Sequence, residues 1–247
     1  MPHNIFLNMN IFLKWDSQYF DVCLAILVCA IGFIAFWFIS IDSKIKAWFF
    51  NKYSGDRACQ YYISFKRLVG MIFMGILPGI LIMYFTNYSL AALGLRVGNL
   101  ESSLFYLSIV APPILVISFL MSKSKNHRSL YPQMRLEVWN KKTYCLNTIG
   151  WMGYLFMYEF LFRGILLMAC YNTFGFWPAL VINLSIYALA HVPKGMGETL
   201  ASFPFGILVC CATLSTGSLV FAFGAHLVLA LSMEYFSISY KEKIVSE

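Results

Sequence analysis

The sequence predicts an all-α fold, a polytopic transmembrane helical bundle of about seven spans, on three observations. Of 247 residues, 60% are hydrophobic and only 12% are charged, where soluble domains carry about 25% charged residues. The apolar residues gather in blocks, several of them long enough for a helix that crosses a bilayer, which takes about 20 residues. The basic residues cluster between those blocks rather than along one face. A soluble enzyme, a disordered tail and a secreted disulfide scaffold are all excluded.

Seven blocks read as spans, at 22–41, 68–85, 104–121, 146–170, 177–191, 199–214 and 219–236. The fifth and sixth are short, as expected of helices packed inside a bundle rather than facing lipid on all sides. In the second, Gly75 and Gly79 with Pro78 between them form a small-xxx-small pattern, the signature of close helix packing. The earlier apolar stretch at 5–13 is broken by Asn8 and Asn10 and lacks a basic leader and a small-residue cleavage site. It reads as an interfacial segment rather than a signal peptide. No repeat or linker divides the chain, which reads as a single membrane domain over 1–247. Residues 1–145 hold the N-terminal spans and basic loops, and 146–236 the core of catalytic type.

The net charge of +7 follows the orientation rule of membrane proteins. Between the first two spans lie Lys44, Lys46, Lys52, Arg57, Lys66 and Arg67, against Asp42 and Asp56. Between the third and fourth lie Lys123, Lys125, Arg128, Arg135, Lys141 and Lys142, against Glu137. Lys194, Lys241 and Lys243 fall on the same side, and only Lys14 and Arg96 on the other. An excess of Lys and Arg marks the cytoplasmic side, so the C-terminus is expected there and the N-terminus outside. The bilayer is the implied partner. Nucleic acid is not, because no helix-turn-helix, zinc-finger or stacking-aromatic pattern accompanies the charge. The seven cysteines form no C-x-x-C pair, which argues against a disulfide framework or a thiolate zinc site.

Ionisable residues within spans are costly, about 2.5–3.5 kcal/mol each at the bilayer centre, and mark function. Glu159 and Arg163 stand four residues apart on one helix face, His191 ends the fifth span, and His226 lies within the seventh. Taken singly, each has a structural reading: an ion pair pinning two helices, or a neutral imidazole bonding across them. Together, a carboxylate, a guanidinium and two imidazoles are the set that activates water in a dry cavity. Glu159 would take a proton from the water, with His191 orienting it. Arg163 would hold the carboxylate ionised, and His226 would donate to the oxyanion. No H-E-x-x-H, no G-x-S-x-G and no membrane pair of aspartates is present. A metal on Glu159, His191 and His226 is the competing arrangement, and the adjacent Arg163 argues against it. The expected enzyme is a metal-independent endopeptidase without a cofactor.

These segments resemble the CAAX protease and bacteriocin-processing family of intramembrane glutamic peptidases, whose motifs are E-E-x-x-x-R, F-x-x-x-H and H-x-x-x-N. The resemblance covers roughly 150–236 and matches Glu159, Arg163, His191 and His226. It implies a membrane-bound or lipidated peptide or protein substrate and, with the small size, a bacterial cell membrane. Three positions depart from the pattern: Tyr158 for the first glutamate, Tyr187 for the motif-two phenylalanine, and Ala230 for the asparagine. Asn183, Tyr187 and His191 recur at four-residue steps on one helix face, so the Asn183 amide or Tyr187 hydroxyl is the expected substitute for the donor missing at Ala230. The alternative is a catalytically impaired member that binds or regulates a membrane partner or confers self-immunity. A small transporter ranks lower, because no inverted pair of broken helices is visible. Glu159 falls at mid-membrane and His191 near the cytoplasmic end of its span. A tilted or recessed fifth helix, or one running past Pro193, would reconcile the two depths, as would a water-filled cavity open to the cytoplasm.

Overall fold

The computed structural model of the chain describes residues 16–239, and these form nine helices and no strand. Seven have the length and composition to cross a membrane: α1 (Ser17–Ile41), α3 (Gly55–Phe85), α4 (Leu100–Ser122), α6 (Lys141–Phe174), α7 (Phe176–Lys194), α8 (Met196–Thr216) and α9 (Val220–Ile238). Two shorter helices, α2 (Ser43–Lys52) and α5 (Lys125–Leu130), lie in the basic connections. The protein is an all-α, multi-pass membrane bundle. The 5–13 stretch, Lys14, Lys241 and Lys243 lie outside the described residues.

Helix starts and stops follow the local chemistry. Asp42 caps α2 by accepting from the Ile45 N–H at 2.8 Å. Asn140 and Thr143 form a reciprocal capping box at the head of α6, which is why α6 begins five residues before the expected span at 146. Gly175 and Gly217 take positive φ, +79° and +64°, a conformation glycine adopts at no steric cost; they break α6 from α7 and close α8.

The structure corrects the expected layout in two ways. The connection at 42–67 is helical throughout most of its length, and α3 begins at Gly55 rather than at 68. Its first turns are amphipathic, so a hydropathy reading misses them while a packed neighbour stabilises them. The interior position belongs to α6, with 78% of its apolar window buried, and not to α7 and α8, at 33% and 39%. The last two are also longer than expected, at 19 and 21 residues.

Helices α1, α3, α7, α8 and α9 all pack on α6, and α9 lies along α4. Small residues make the approach close, as the Gly75 and Gly79 pattern implies. A side chain at Gly75 would collide with Met157, and one at Gly79 would come within 2.9 Å of the Phe160 ring. On the basic-loop side, the segment at 131–138 is pinned by two carboxylates. Glu234 accepts from the Gln133 and Met134 N–H groups at 2.9 and 3.3 Å, and Asp56 from those of Glu137 and Val138 at 2.7 and 3.0 Å.

Candidate active site

Midway along α6 the backbone widens: Phe160–Leu166 is a π-helical stretch, a feature that recurs at functional sites. The Phe162 carbonyl takes the Leu167 N–H and also accepts from Asn183 Nδ2 at 2.6 Å. Cys210 Sγ in turn donates to Asn183 Oδ1 at 3.2 Å. Residues of α7 and α8 thus hold the wide turn. The Asn183 amide is committed there, and Asn183 is not among the residues lining the cavity below.

Glu159 precedes this turn and Arg163 lies within it, both fully buried. Glu159 Oε2 is 3.2 Å from Arg163 Nη1, and Glu159 Oε1 is 2.5 Å from His226 Nδ1 on α9. The Arg163 guanidinium stacks over the Tyr187 ring, 4.0 Å from its centroid, an attraction that strengthens out of water. A buried carboxylate needs such partners, since an uncompensated charge there costs several kcal/mol. A carboxylate only accepts, so His226 Nδ1 carries the proton and its Nε2 is left for other work.

His191 is held by its own helix. Its Nδ1 lies 2.8 Å from the Tyr187 carbonyl, which also only accepts, so Nδ1–H donates and Nε2 offers a lone pair. A cavity of about 110 Å³ is lined at its inner end by Tyr158, Tyr187, His191, His226 and Ala230. Toward the basic loops it is lined by Tyr131, Gln133, Lys194 and Glu198, the last two joined by a 3.3 Å ion pair. Burial raises the pKa of the Tyr131 phenol well above its usual range. The Tyr158 ring stands edge-on to both imidazoles, 5.5 Å from His226 and 6.4 Å from His191 between centroids.

Four of the residues singled out in the sequence therefore meet around one space, while Glu159 and Arg163 sit behind it, touching it through His226 and Tyr187. The 3₁₀ turn Val192–Lys194 carries α7 past Pro193, so His191 lies three residues inside the end of its span. Among the described residues no three His, Cys, Asp or Glu side chains assemble as metal ligands, so Glu159, His191 and His226 do not form a three-ligand set.

Two buried charges escaped the sequence reading. Glu234, fully buried near the end of α9, holds the 131–138 segment. Arg67, 3% exposed, lies over the Trp151 ring at 4.6 Å and donates to the Asn147 carbonyl at 2.9 Å. The intramembrane cost that singled out Glu159 was also signal enough to find Glu234.

Residues 144–232 match the family model described as Rce1-like, the type II CAAX prenyl endopeptidases. Over this segment the chain is similar to the CAAX protease family. The match runs from the first turns of α6 into α9 and contains every residue of the buried cluster and of the inner cavity wall. The CAAX protease family indicates a membrane-embedded protease as the kind of enzyme. No curated protein and no solved structure matches the chain.

Proposed function

We propose that the protein is an intramembrane glutamate-dependent endopeptidase that hydrolyses a peptide bond in a membrane-associated substrate carrying a lipidated, prenyl-type cysteine. The observation that carries this reading is the Glu159–His226 contact, with His226 turned to the cavity and Glu159 shut away from it. The sequence reading gave water activation to Glu159 with His191 and the oxyanion to His226. The geometry favours a proton path through His226.

Water attacks the peptide carbonyl while His226 Nε2 takes its proton. The imidazolium so formed is stabilised by Glu159 across Nδ1–H, the logic of a carboxylate–histidine pair. His191 Nε2 accepts from the second O–H of the water and orients it. Arg163, 3.2 Å from Glu159 Oε2, compensates the carboxylate and holds it in place. The Tyr187 hydroxyl donates to the oxyanion in place of the asparagine replaced by Ala230. On collapse, the C–N bond breaks and His226 Nε2–H gives its proton to the leaving amine. The mechanism uses no metal, so a chelator is expected to leave turnover unchanged. The cavity mouth is proposed to face the cytoplasm, where the basic loops put it.

The test uses liposomes holding the full chain and a farnesylated peptide ending in C-a-a-X, with release of the tripeptide followed by mass spectrometry. Wild type should release it and Glu159→Gln should be slower by about 100-fold or more. Release unaffected by Glu159→Gln would overturn the assignment. A second reading, a binding or self-immunity protein built on the same core, is favoured by Tyr158, whose ring faces both imidazoles where the family carries a carboxylate. It predicts that wild type and Glu159→Gln retain the peptide equally and cleave nothing.

A further inference from the structure

A second cavity, also of about 110 Å³, lies against the first and shares Tyr154, Tyr158, His191, Lys194 and Gln133 with it. Its remaining wall is mostly apolar and aromatic, with Phe33, Phe36 and Trp37 beside Ser40 from α1, and it carries Lys66 and Arg67 from α3. Three cations and no carboxylate line it. Lys194 is paired with Glu198. Glu234, the acid whose charge bears on Arg67, is committed to the Gln133 and Met134 N–H groups.

Arg67 is set in a built seat. A side chain at Gly150 would press within 3.0 Å of its Nη1 and 3.1 Å of its Cδ, Trp151 covers one face, and Nη1 is fixed on the Asn147 carbonyl. Its Nε and Nη2 are buried and without a hydrogen-bond partner among the described residues. Those two nitrogens share one edge of the guanidinium plane, the edge that meets a carboxylate with two parallel N–H···O bonds. Buried donors left this way are costly unless something binds them.

We propose that Arg67, assisted by Lys66, is the recognition site for the free C-terminal carboxylate of the peptide substrate. Five residues line both cavities, His191 among them, so a peptide terminus held at Arg67 lies beside the histidine cavity. An anionic lipid headgroup offers the same oxygen chemistry, and the contiguity with the histidine cavity favours the peptide. This inference rests on the proposed peptidase reading, and binding rather than cleavage tests it separately.

The probe is the farnesylated C-a-a-X peptide as free acid and as C-terminal amide, bound to Glu159→Gln protein in neutral-lipid nanodiscs, so that no turnover is needed. The acid should bind about 10- to 100-fold tighter than the amide. Arg67→Gln should remove that difference while leaving amide binding in place, and Lys66→Gln should reduce it. Because the comparison of acid with amide is made on protein with Arg67 intact, it stands even if Arg67→Gln fails to fold. Equal binding of acid and amide, binding of neither, or a preference that survives Arg67→Gln overturns the proposal. Arg67-dependent retention of an anionic lipid in native mass spectra, without discrimination between acid and amide, assigns the site to a headgroup and overturns it too. If acid is preferred yet wild type cleaves neither peptide, the recognition site stands and the peptidase reading fails.

Discussion

Glu159 on α6 and His226 on α9, 67 positions apart in the chain, meet through a 2.5 Å contact between Oε1 and Nδ1. The carboxylate fixes which imidazole nitrogen is left for the cavity, so the two side chains act on one proton path. Removing either should lower kcat by about 100- to 10,000-fold. Groups that act as a unit are non-additive, so Glu159→Gln combined with His226→Ala should be little worse than the poorer single variant. Single-turnover release of the tripeptide measures this, and a multiplicative loss would separate the two residues into independent roles.

Tyr187 touches both halves of the site: its ring carries the Arg163 guanidinium, and its carbonyl fixes His191. Tyr187→Phe retains ring and carbonyl and deletes only the hydroxyl. With that hydroxyl as oxyanion donor, kcat should fall about 100-fold while KM and thermal unfolding stay near wild type. Unchanged kcat would move the donor elsewhere.

Asn183 belongs to the scaffold. Asn183→Ala leaves the Phe162 carbonyl without its 2.6 Å side-chain donor and the Cys210 thiol without its acceptor. The loss of stability should be about 1–3 kcal/mol, read as earlier unfolding in detergent. Any activity lost should recover at lower temperature, since no Asn183 atom lines the cavity.

The reach of the sequence in this protein follows from how each residue is recognised. Glu159, Arg163, His191 and His226 were legible because an ionisable group inside an apolar block is costly and therefore conspicuous. Arg67 was not, since the half-polar start of α3 made it look like one more loop charge. The π-helical turn had no local mark: Phe160–Leu166 is ordinary apolar sequence, and the partner that satisfies its Phe162 carbonyl lies 21 residues on, in another helix. The interior place of α6 depends likewise on five neighbours packing around it, which hydropathy along one helix does not encode.

Glu234 should act on one segment rather than on the whole bundle. Glu234→Gln replaces one acceptor oxygen by an NH2 that faces a backbone donor, at Gln133 or Met134. Hydrogen bonds to a charged group contribute about 1.5–3 kcal/mol. Hydrogen exchange at the 133 and 134 amides should accelerate accordingly, with protection in α6 and α9 preserved. Exchange rising equally across all helices would mean a global role instead.

Arg163 offers the sharpest test of charge compensation. Arg163→Met leaves the Glu159 carboxylate fully buried with only His226 beside it, and breaking a buried pair from one side costs about 3–5 kcal/mol. Replacing both, with Glu159→Gln and Arg163→Met together, removes the stranded charge along with its partner. The double variant should therefore unfold later than Arg163→Met alone, although it carries more substitutions. If the two unfold at the same point, the guanidinium stabilises the bundle through its stack on Tyr187 rather than through the carboxylate, and Glu159 draws its compensation from His226.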